Sequence, residues 1–315
     1  MGSTLTPVRA VALAMGLALA CLAFASDATA GIGCRYVAAG PAGPAGNRLE
    51  IRVNRFEEVV ALSPGAGTRI DVADDQRMNP LKCVGGRPTM VNLDRIVFRA
   101  DRRATGSTLY VDRAPEFGPG ATPADAGGKG ISFSARGPSL SFGIGGTDGD
   151  DLIKMGMDGR AAALDFFPDN FPDGAPGDQI DARIRARFVN ILVKAGPGND
   201  MVAGSQIDYS LTSFDGPLTV PTSVYGEGGT DALFGGRSMD YLDGGPGPDM
   251  LIGAAGADQL YGGGGLDSFF GGPGPDEIDA LDHRGGEQIA CGRGRDLAHM
   301  DLKDLDRDCE SFRFP

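Results

Sequence analysis

The chain has 315 residues, of which 41% are hydrophobic, so it can bury a core in one large domain or two ordinary ones. Its formal net charge of −13 argues against a nucleic-acid partner, because phosphates attract clustered Lys and Arg, and it fits a cationic ligand. The 51 glycines and the absence of tryptophan are unusual for a globular domain.

Residues 1–30 have the pattern of a secretory signal peptide. After Arg9 comes the apolar stretch VALAMGLALACLAFA, which ends near a small-x-small cleavage site at Ala28 to Ala30. Cys21 raises the alternative of a lipoprotein anchor, which we disfavour because the apolar stretch continues past it. The rest of the chain has no apolar segment long enough to cross a bilayer. We therefore expect a secreted protein, either released or held at the cell surface.

Residues 31–140 are predicted to be β-rich. They contain short segments of β-branched and aromatic residues separated by Gly, Pro, Asp or Asn. These segments are RLEIRV, EEVVALS, TRIDVADD, TMVNLDRIVF, STLYV and GISFSA. This region could form a separate β-sandwich, or it could continue the solenoid with longer coils that bind no metal. We favour the solenoid, because strand length and turn density match those found later in the chain.

Residues 141–225 contain two isolated glycine–aspartate motifs. GTDGDDLI includes Asp151 and AGPGNDMV includes Asp200, and each aspartate is followed closely by an apolar residue. Neither motif is in phase with the array that follows. The segment Ser210–Ser223 has a single glycine and predicts a protruding loop or an irregular coil. We expect an irregular β-solenoid in this region.

Residues 226–280 repeat with a period of nine. Each unit has an aspartate, a large apolar residue two positions later and, with one exception, a glycine two positions earlier. The aspartates are Asp231, Asp240, Asp249, Asp258, Asp267 and Asp276. The apolar residues are Leu233, Leu242, Leu251, Leu260, Phe269 and Ile278. The glycines are Gly229, Gly247, Gly256, Gly265 and Gly274, and Ser238 takes the remaining position.

This period predicts a parallel β-roll. Glycine permits positive φ and hence tight turns, and the three residues after each aspartate form a minimal strand whose middle residue faces inward. Two units then complete a coil of 18 residues, and stacked coils lie ~4.8 Å apart. Asp231, Asp249 and Asp267 should therefore stack in one column, and the other three aspartates in a second. A flexible glycine-rich tail is the alternative, but it needs no apolar residue in every period.

Stacked carboxylates require a cation. Two carboxylates ~5 Å apart repel by roughly 3 kcal/mol at an effective dielectric near 20. Over the stacked pairs of both columns the total is on the order of 10 kcal/mol, comparable with the ~5–15 kcal/mol of a domain's stability. Carboxylate and carbonyl oxygens select a hard cation that tolerates irregular geometry, which is calcium rather than magnesium.

The units GGPGPDMLI and GGPGPDEID resemble the hemolysin-type calcium-binding repeat of RTX proteins, G-G-x-G-x-D-x-U-x. GAAGADQLY and GGGGLDSFF differ from it slightly, and GGRSMDYLD departs at Ser238, where we expect a weaker site. The resemblance implies that aspartates and turn carbonyls bind Ca²⁺ between adjacent turns. The candidate ligands are Asp231, Asp240, Asp249, Asp258, Asp267, Asp276, Gly229, Gly247, Gly256, Gly265, Gly274, Asp200 and Asp151.

Residues 281–315 are expected to cap the roll, since a solenoid must shield its final coil. The run Asp304, Asp306 and Asp308 lacks the glycine and the closing glutamate of an EF-hand loop, so we interpret it as a solvated acidic turn.

Four cysteines remain after removal of the signal, and in an exported protein they predict two disulfides. Of three possible connectivities we favour the local one, Cys34–Cys83 with Cys291–Cys309, because each pair then lies within one half of the chain.

Two functions are compatible with these features. The chain has only His283 and His299, in no H-E-x-x-H pattern, and no G-x-S-x-G motif, which argues against a zinc protease or a lipase. We expect a secreted, all-β calcium-binding protein without enzymatic activity, with a structural, adhesive or matrix role. Its partners would be calcium ions and cell-surface or extracellular polysaccharide. The alternative is a polysaccharide lyase or epimerase on a parallel β-helix.

Overall fold

The computed structural model describes residues 31–38, 47–66, 69–74, 79–89, 93, 95–112, 132–165, 182–204 and 214–314. The predicted signal peptide lies outside the described residues, as does the first part of the predicted loop before Phe214. Within the described ranges there are 24 strands and no helix. No helix capable of spanning a membrane therefore occurs in this part of the chain.

The strands follow one another through the described ranges in this order. They are β1 Ile32–Val37, β2 Arg48–Val53, β3 Val59–Pro64, β4 Ile70–Asp74, β5 Asn79–Pro80, β6 Arg95–Ala100, β7 Ser107–Val111, β8 Ser132–Gly145, β9 Leu152–Asp158, β10 Ala161–Asp165, β11 Ala182–Pro197, β12 Met201–Ala203, β13 Gly216–Pro217, β14 Thr222–Gly228, β15 Ala232–Phe234, β16 Tyr241–Pro246, β17 Met250–Ile252, β18 Gln259–Gly264, β19 Ser268–Pro273, β20 Glu277–Asp279, β21 Gln288–Arg293, β22 Leu297–His299, β23 Leu305–Arg307 and β24 Ser311–Arg313.

Two stacks of parallel strands form the C-terminal half. The Leu260 stack contains β14, β16, β18, β20, β22 and β24, paired in that order. The Leu251 stack contains β12, β15, β17, β19, β21 and β23. Leu242 pairs with Leu260 and Leu260 with Ile278, so one coil of the repeat takes 18 residues. The parallel β-roll predicted from the sequence is confirmed.

The core of the roll consists of the apolar residue of each nine-residue unit. Because side chains alternate along a strand, the middle residue of a three-residue strand points to one side of the sheet. In β17, for example, Leu251 is buried and its neighbours on both sides are partly exposed. All six predicted positions have 0% exposure, namely Leu233, Leu242, Leu251, Leu260, Phe269 and Ile278.

The same interior column continues into the N-terminal half. Leu62 pairs with Val111, Val111 with Ile144, Ile144 with Val193, and Val193 with Val224 at the start of the roll. The strands β3, β7, β8 and β11 thus extend the Leu260 stack in parallel register. This pairing is that of a solenoid with longer coils, the architecture favoured over a separate sandwich.

Two strands are longer than the short segments expected from the sequence. β8 has 14 residues, and its first half pairs with β6 while its second half pairs with β7. β11 has 16 residues and follows β8 along most of its length. β8 therefore connects the parallel strands beside β6 to those beside β7, which a shorter strand would leave separate. Antiparallel pairs, such as β1 with β2 and β9 with β10, complete the N-terminal half.

The described chain contains two disulfides, Cys34–Cys83 and Cys291–Cys309, in the local connectivity favoured above. The second one links β21 to the residues just before β24, within the region predicted to cap the roll.

Candidate metal centres

The repeat aspartates stack in two columns, each at the start of one stack of strands. In the Asp249 column, the backbone N–H of Asp231 donates to Oδ1 of Asp249 (2.8 Å), and that of Asp249 donates to Asp267 (2.9 Å). In the Asp258 column, Asp240 donates to Asp258 (2.8 Å) and Asp258 to Asp276 (2.9 Å). Each bond spans 18 residues, so one carboxylate oxygen of each acceptor is held by the preceding coil.

The structure also brings Asp151 and Asp200 into the Asp249 column. The N–H of Asp151 donates to Oδ1 of Asp200 over 49 residues, and the N–H of Asp200 donates to Oδ1 of Asp231 over 31 residues, both at 2.8 Å. The two isolated motifs are out of phase in sequence, but they are in register in space. The strands that follow these three aspartates, β9, β12 and β15, pair in parallel register although different numbers of residues separate them.

Burial dominates the electrostatics of both columns. Asp249 is 3% exposed and Asp258 is 1% exposed. Burial, together with smaller contributions from repulsion by neighbouring aspartates, raises the pKa of Asp249 to about 7 and that of Asp258 to about 8. Loss of hydration therefore destabilises the charged carboxylates more than the mutual repulsion expected from the sequence does. Burial also raises the pKa of Asp200 to about 7 and of Asp276 to about 6.

The second carboxylate oxygen of most column aspartates has no partner. Oδ2 is buried without a hydrogen bond in Asp200, Asp231, Asp249, Asp258 and Asp276. A buried, unpaired carboxylate oxygen is unfavourable, so a bound cation at these atoms would remove a considerable penalty.

A glycine five residues before each aspartate leaves the space beside Oδ2 open. A Cβ atom on Gly253 would lie 2.6 Å from Oδ2 of Asp258 and 2.7 Å from the carbonyl oxygen of Gly271. A carboxylate oxygen and a carbonyl oxygen of the next coil thus line the same small space. The glycines at this position are Gly226, Gly235, Gly244, Gly253, Gly262 and Gly271.

These glycines were not among the ligands predicted from the sequence. The signal was present, because a glycine stands five residues before every one of the six repeat aspartates.

The glycines that the sequence did single out serve the stacking of the coils. Gly247 and Gly274 have positive φ values of 139° and 149°, and a Cβ atom on either would overlap the carbonyl oxygen of Gly229 or Gly256 in the preceding coil. Only glycine allows this close backbone approach. Calcium ligation by individual residues of either set stays a prediction.

The donor set fits calcium. In the part of the chain that the structure describes, no group of three or more His, Cys, Asp or Glu side chains converges on one point. A site here must therefore combine one or two aspartate oxygens with backbone carbonyls. Such an oxygen-only and irregular set suits Ca²⁺ better than Mg²⁺ or Zn²⁺.

Residues 243–278 match the family model of the RTX calcium-binding nonapeptide repeat, in four copies. The chain carries RTX repeats. These repeats imply a calcium-binding β-roll, in agreement with the stacked coils and the buried aspartates of this segment. Neither the comparison with curated proteins nor the comparison with solved structures gives a significant match.

One expectation for the C-terminal segment is wrong. Asp304 was interpreted as part of a solvated acidic turn, but it is only 9% exposed. Its Oδ1 accepts the N–H of Gly286 and its Oδ2 accepts the N–H of Asp301. Asp306 and Asp308 are exposed as expected. The burial of Asp304 follows from its position directly before β23, where the Asp249 column continues.

A groove of about 520 Å³ lies on the outer face of the Leu260 stack. Next to it the rings of Tyr225, Tyr241 and Tyr261 contact one another, with centroids 5.5 and 5.0 Å apart. The groove is lined by Leu192, Lys194, Tyr225, Glu227, Asp243 and Gly245.

Proposed function

We propose that this chain is a secreted protein whose β-roll is completed by calcium, and that it has a structural, adhesive or matrix role without enzymatic activity. The observation that carries this proposal is a set of buried Oδ2 atoms that have no partner and lie beside a space lined by a carbonyl oxygen. Asp231, Asp249, Asp258 and Asp276 show both features.

The proposed role depends on the difference in calcium between cell compartments. Without calcium, the buried carboxylates must either become protonated or become exposed to water by unfolding of the coils that bury them. In the calcium-poor cytoplasm the roll would therefore be destabilised, and outside the cell millimolar calcium would complete it even at weak sites. The two disulfides support export, because such bonds persist in oxidising compartments.

The proposed folding role is tested by refolding the chelator-treated protein with calcium, with magnesium, or with neither. We expect a gain of β-structure by circular dichroism and a higher unfolding temperature with calcium only. An equal gain with magnesium would contradict the assignment of the cation.

Export is tested separately by sequencing the N-terminus of protein recovered from the culture medium. Cleavage after Ala30 is the expected result, and a mature chain that begins at Met1 would contradict it.

The second candidate, a polysaccharide lyase, is favoured by one observation in the groove. Lys194 pairs in register with Tyr225, which places a base beside a phenol on the outer face of a parallel solenoid. However, Glu227 and Asp243 line the same groove and disfavour a polyanionic substrate. Release of unsaturated products from acidic polysaccharides, lost in Lys194→Met, would establish the lyase. No release by the unaltered protein would exclude it.

A further inference from the structure

The Asp249 column does not end with the nonapeptide repeats. Ser268 pairs with Gln288 and Gln288 with Leu305, so the residues directly before them occupy equivalent positions. These residues are Asp267, Glu287 and Asp304. Two acidic residues of the C-terminal cap therefore stack on the last aspartate of the column, beyond the segment that matches the family.

Glu287 is a buried acidic residue whose charge no hydrogen-bond donor stabilises. It is 1% exposed, and both of its carboxylate oxygens are buried without a hydrogen-bond partner. In the repeats, the equivalent aspartate accepts the backbone N–H of the preceding coil, as Asp267 does from Asp249. Glu287 has one more methylene group and makes no such bond. Its carboxyl group instead lies against that of Asp304, and two buried acidic groups in contact need a proton or a cation between them.

Asp304 is held beside Glu287 by two backbone donors. Its Oδ1 accepts the N–H of Gly286 at 2.9 Å, and its Oδ2 accepts the N–H of Asp301 at 2.6 Å. The N–H of Leu305 donates to the carbonyl oxygen of Glu287 at 2.9 Å, so the two acidic residues are fixed as neighbours across the β21–β23 pairing.

Asp282 adds a third negative group. Its Oδ1 accepts the N–H of Arg284 at 2.7 Å, and its Oδ2 is buried without a partner. Burial raises the pKa of Glu287 to about 8, and the nearby carboxyl groups of Asp304 and Asp282 contribute to this rise. These groups thus disfavour a charged Glu287 unless a positive ion neutralises it.

We infer that Glu287 and Asp304 bind an additional calcium ion in the C-terminal cap, with Asp282 contributing negative charge. Backbone carbonyls and water would complete the coordination, because no three acidic side chains converge in the described residues. This inference rests on the proposed function for the identity of the cation. The ion would link β21 to β23, next to the disulfide Cys291–Cys309. It would thereby attach the cap to the last coil of the roll.

The test is a count of bound calcium ions by native mass spectrometry on the mature chain. Glu287→Gln keeps the size of the side chain and removes its charge, and Asp304→Asn does the same at the partner. We expect each variant to bind one calcium ion fewer than the unaltered chain. Glu277→Gln is the matched control, because the side chain of Glu277 is 45% exposed and should leave the count unchanged.

The outcomes separate this inference from the proposed function. If the unaltered chain binds no calcium, the proposed function fails. If the unaltered chain binds calcium, and a folded Glu287→Gln or Asp304→Asn variant binds the same number of ions as the unaltered chain, only the cap site is overturned.

If neither variant folds, hydrogen exchange on the unaltered chain decides. Calcium is expected to slow exchange at the amides of Gly286 and Leu305 at least tenfold. Slower exchange in the repeats alone, with no change at these two amides, would overturn the cap site.

Discussion

Replacement of Asp258 by asparagine should have opposite effects on stability with and without calcium. Asp258 is 1% exposed, its Oδ1 accepts the N–H of Asp240 at 2.8 Å, and its Oδ2 has no partner. Asparagine keeps the shape of the side chain and the acceptor for Asp240 but removes the charge. Without calcium the substitution relieves a buried charge, and with calcium it removes a ligand.

The size of the effect follows from the pKa of Asp258, which burial raises from the ordinary value of 3.8 to about 8. At pH 8 this difference corresponds to a penalty on the order of 5 kcal/mol for the metal-free folded state. The buried amide of asparagine lacks partners for its own donors, which offsets the gain by about 1–3 kcal/mol. We therefore expect Asp258→Asn to stabilise the metal-free chain by about 2–4 kcal/mol and to destabilise the calcium-bound chain.

The assay is urea unfolding at pH 8, followed by circular dichroism, in chelator and in excess calcium. Sucrose is added to both series if the metal-free chain is too unstable for a baseline. Asp101→Asn is the control, because Asp101 is exposed and should change stability by less than about 0.5 kcal/mol in both conditions. Equal destabilisation of Asp258→Asn with and without calcium would refute the reasoning.

Three further predictions concern the stacking of coils, pH and the core. Gly274→Ala should lower the unfolding temperature in calcium far more than Gly264→Ala. Gly274 has a φ of 149° and a Cβ there would overlap the Gly256 carbonyl, whereas a Cβ on Gly264 would meet no atom within 4 Å. Similar shifts of the unfolding temperature in the two variants would contradict this prediction. The folded-state pKa values of about 6 to 8 in the columns exceed the ordinary value of 3.8, so the metal-free folded chain binds more protons than the unfolded chain. Its urea midpoint should be highest at or below about pH 4 and fall as the pH rises to about 8. A rising midpoint would contradict this sign. Leu260→Ala should lower the free energy of unfolding in calcium by about 2–5 kcal/mol, since Leu260 is fully buried, and a loss under 1 kcal/mol would mean that the column is not a packed core.

The roll was predictable because its pattern is short and repeats without slippage. A period of nine determines which residue faces inward and which aspartates stack, so Leu260 in the core and Asp258 above Asp276 both follow from counting. The local disulfides were predictable for a similar reason, since each joins residues of the same half of the chain.

The remaining features depend on distances that sequence spacing does not encode. Asp151, Asp200 and Asp231 are separated by 49 and 31 residues, and only the strand pairing shows that they form one column. The loss of hydration at the aspartates was missed because the sequence does not show how closely the coils cover them. The burial of Asp304 was missed because the strand pairings before it are 20 residues apart (Ser268 with Gln288) and 17 residues apart (Gln288 with Leu305), so the period of 18 no longer applies.

The most direct test of the central claim is a calorimetric calcium titration of the chelator-treated chain, followed in parallel by circular dichroism. We predict saturable uptake of several calcium ions per chain, with a gain of β-structure that ends when the sites are filled. A chain that binds no calcium, and is equally compact and heat-resistant in chelator and in calcium, would contradict the account.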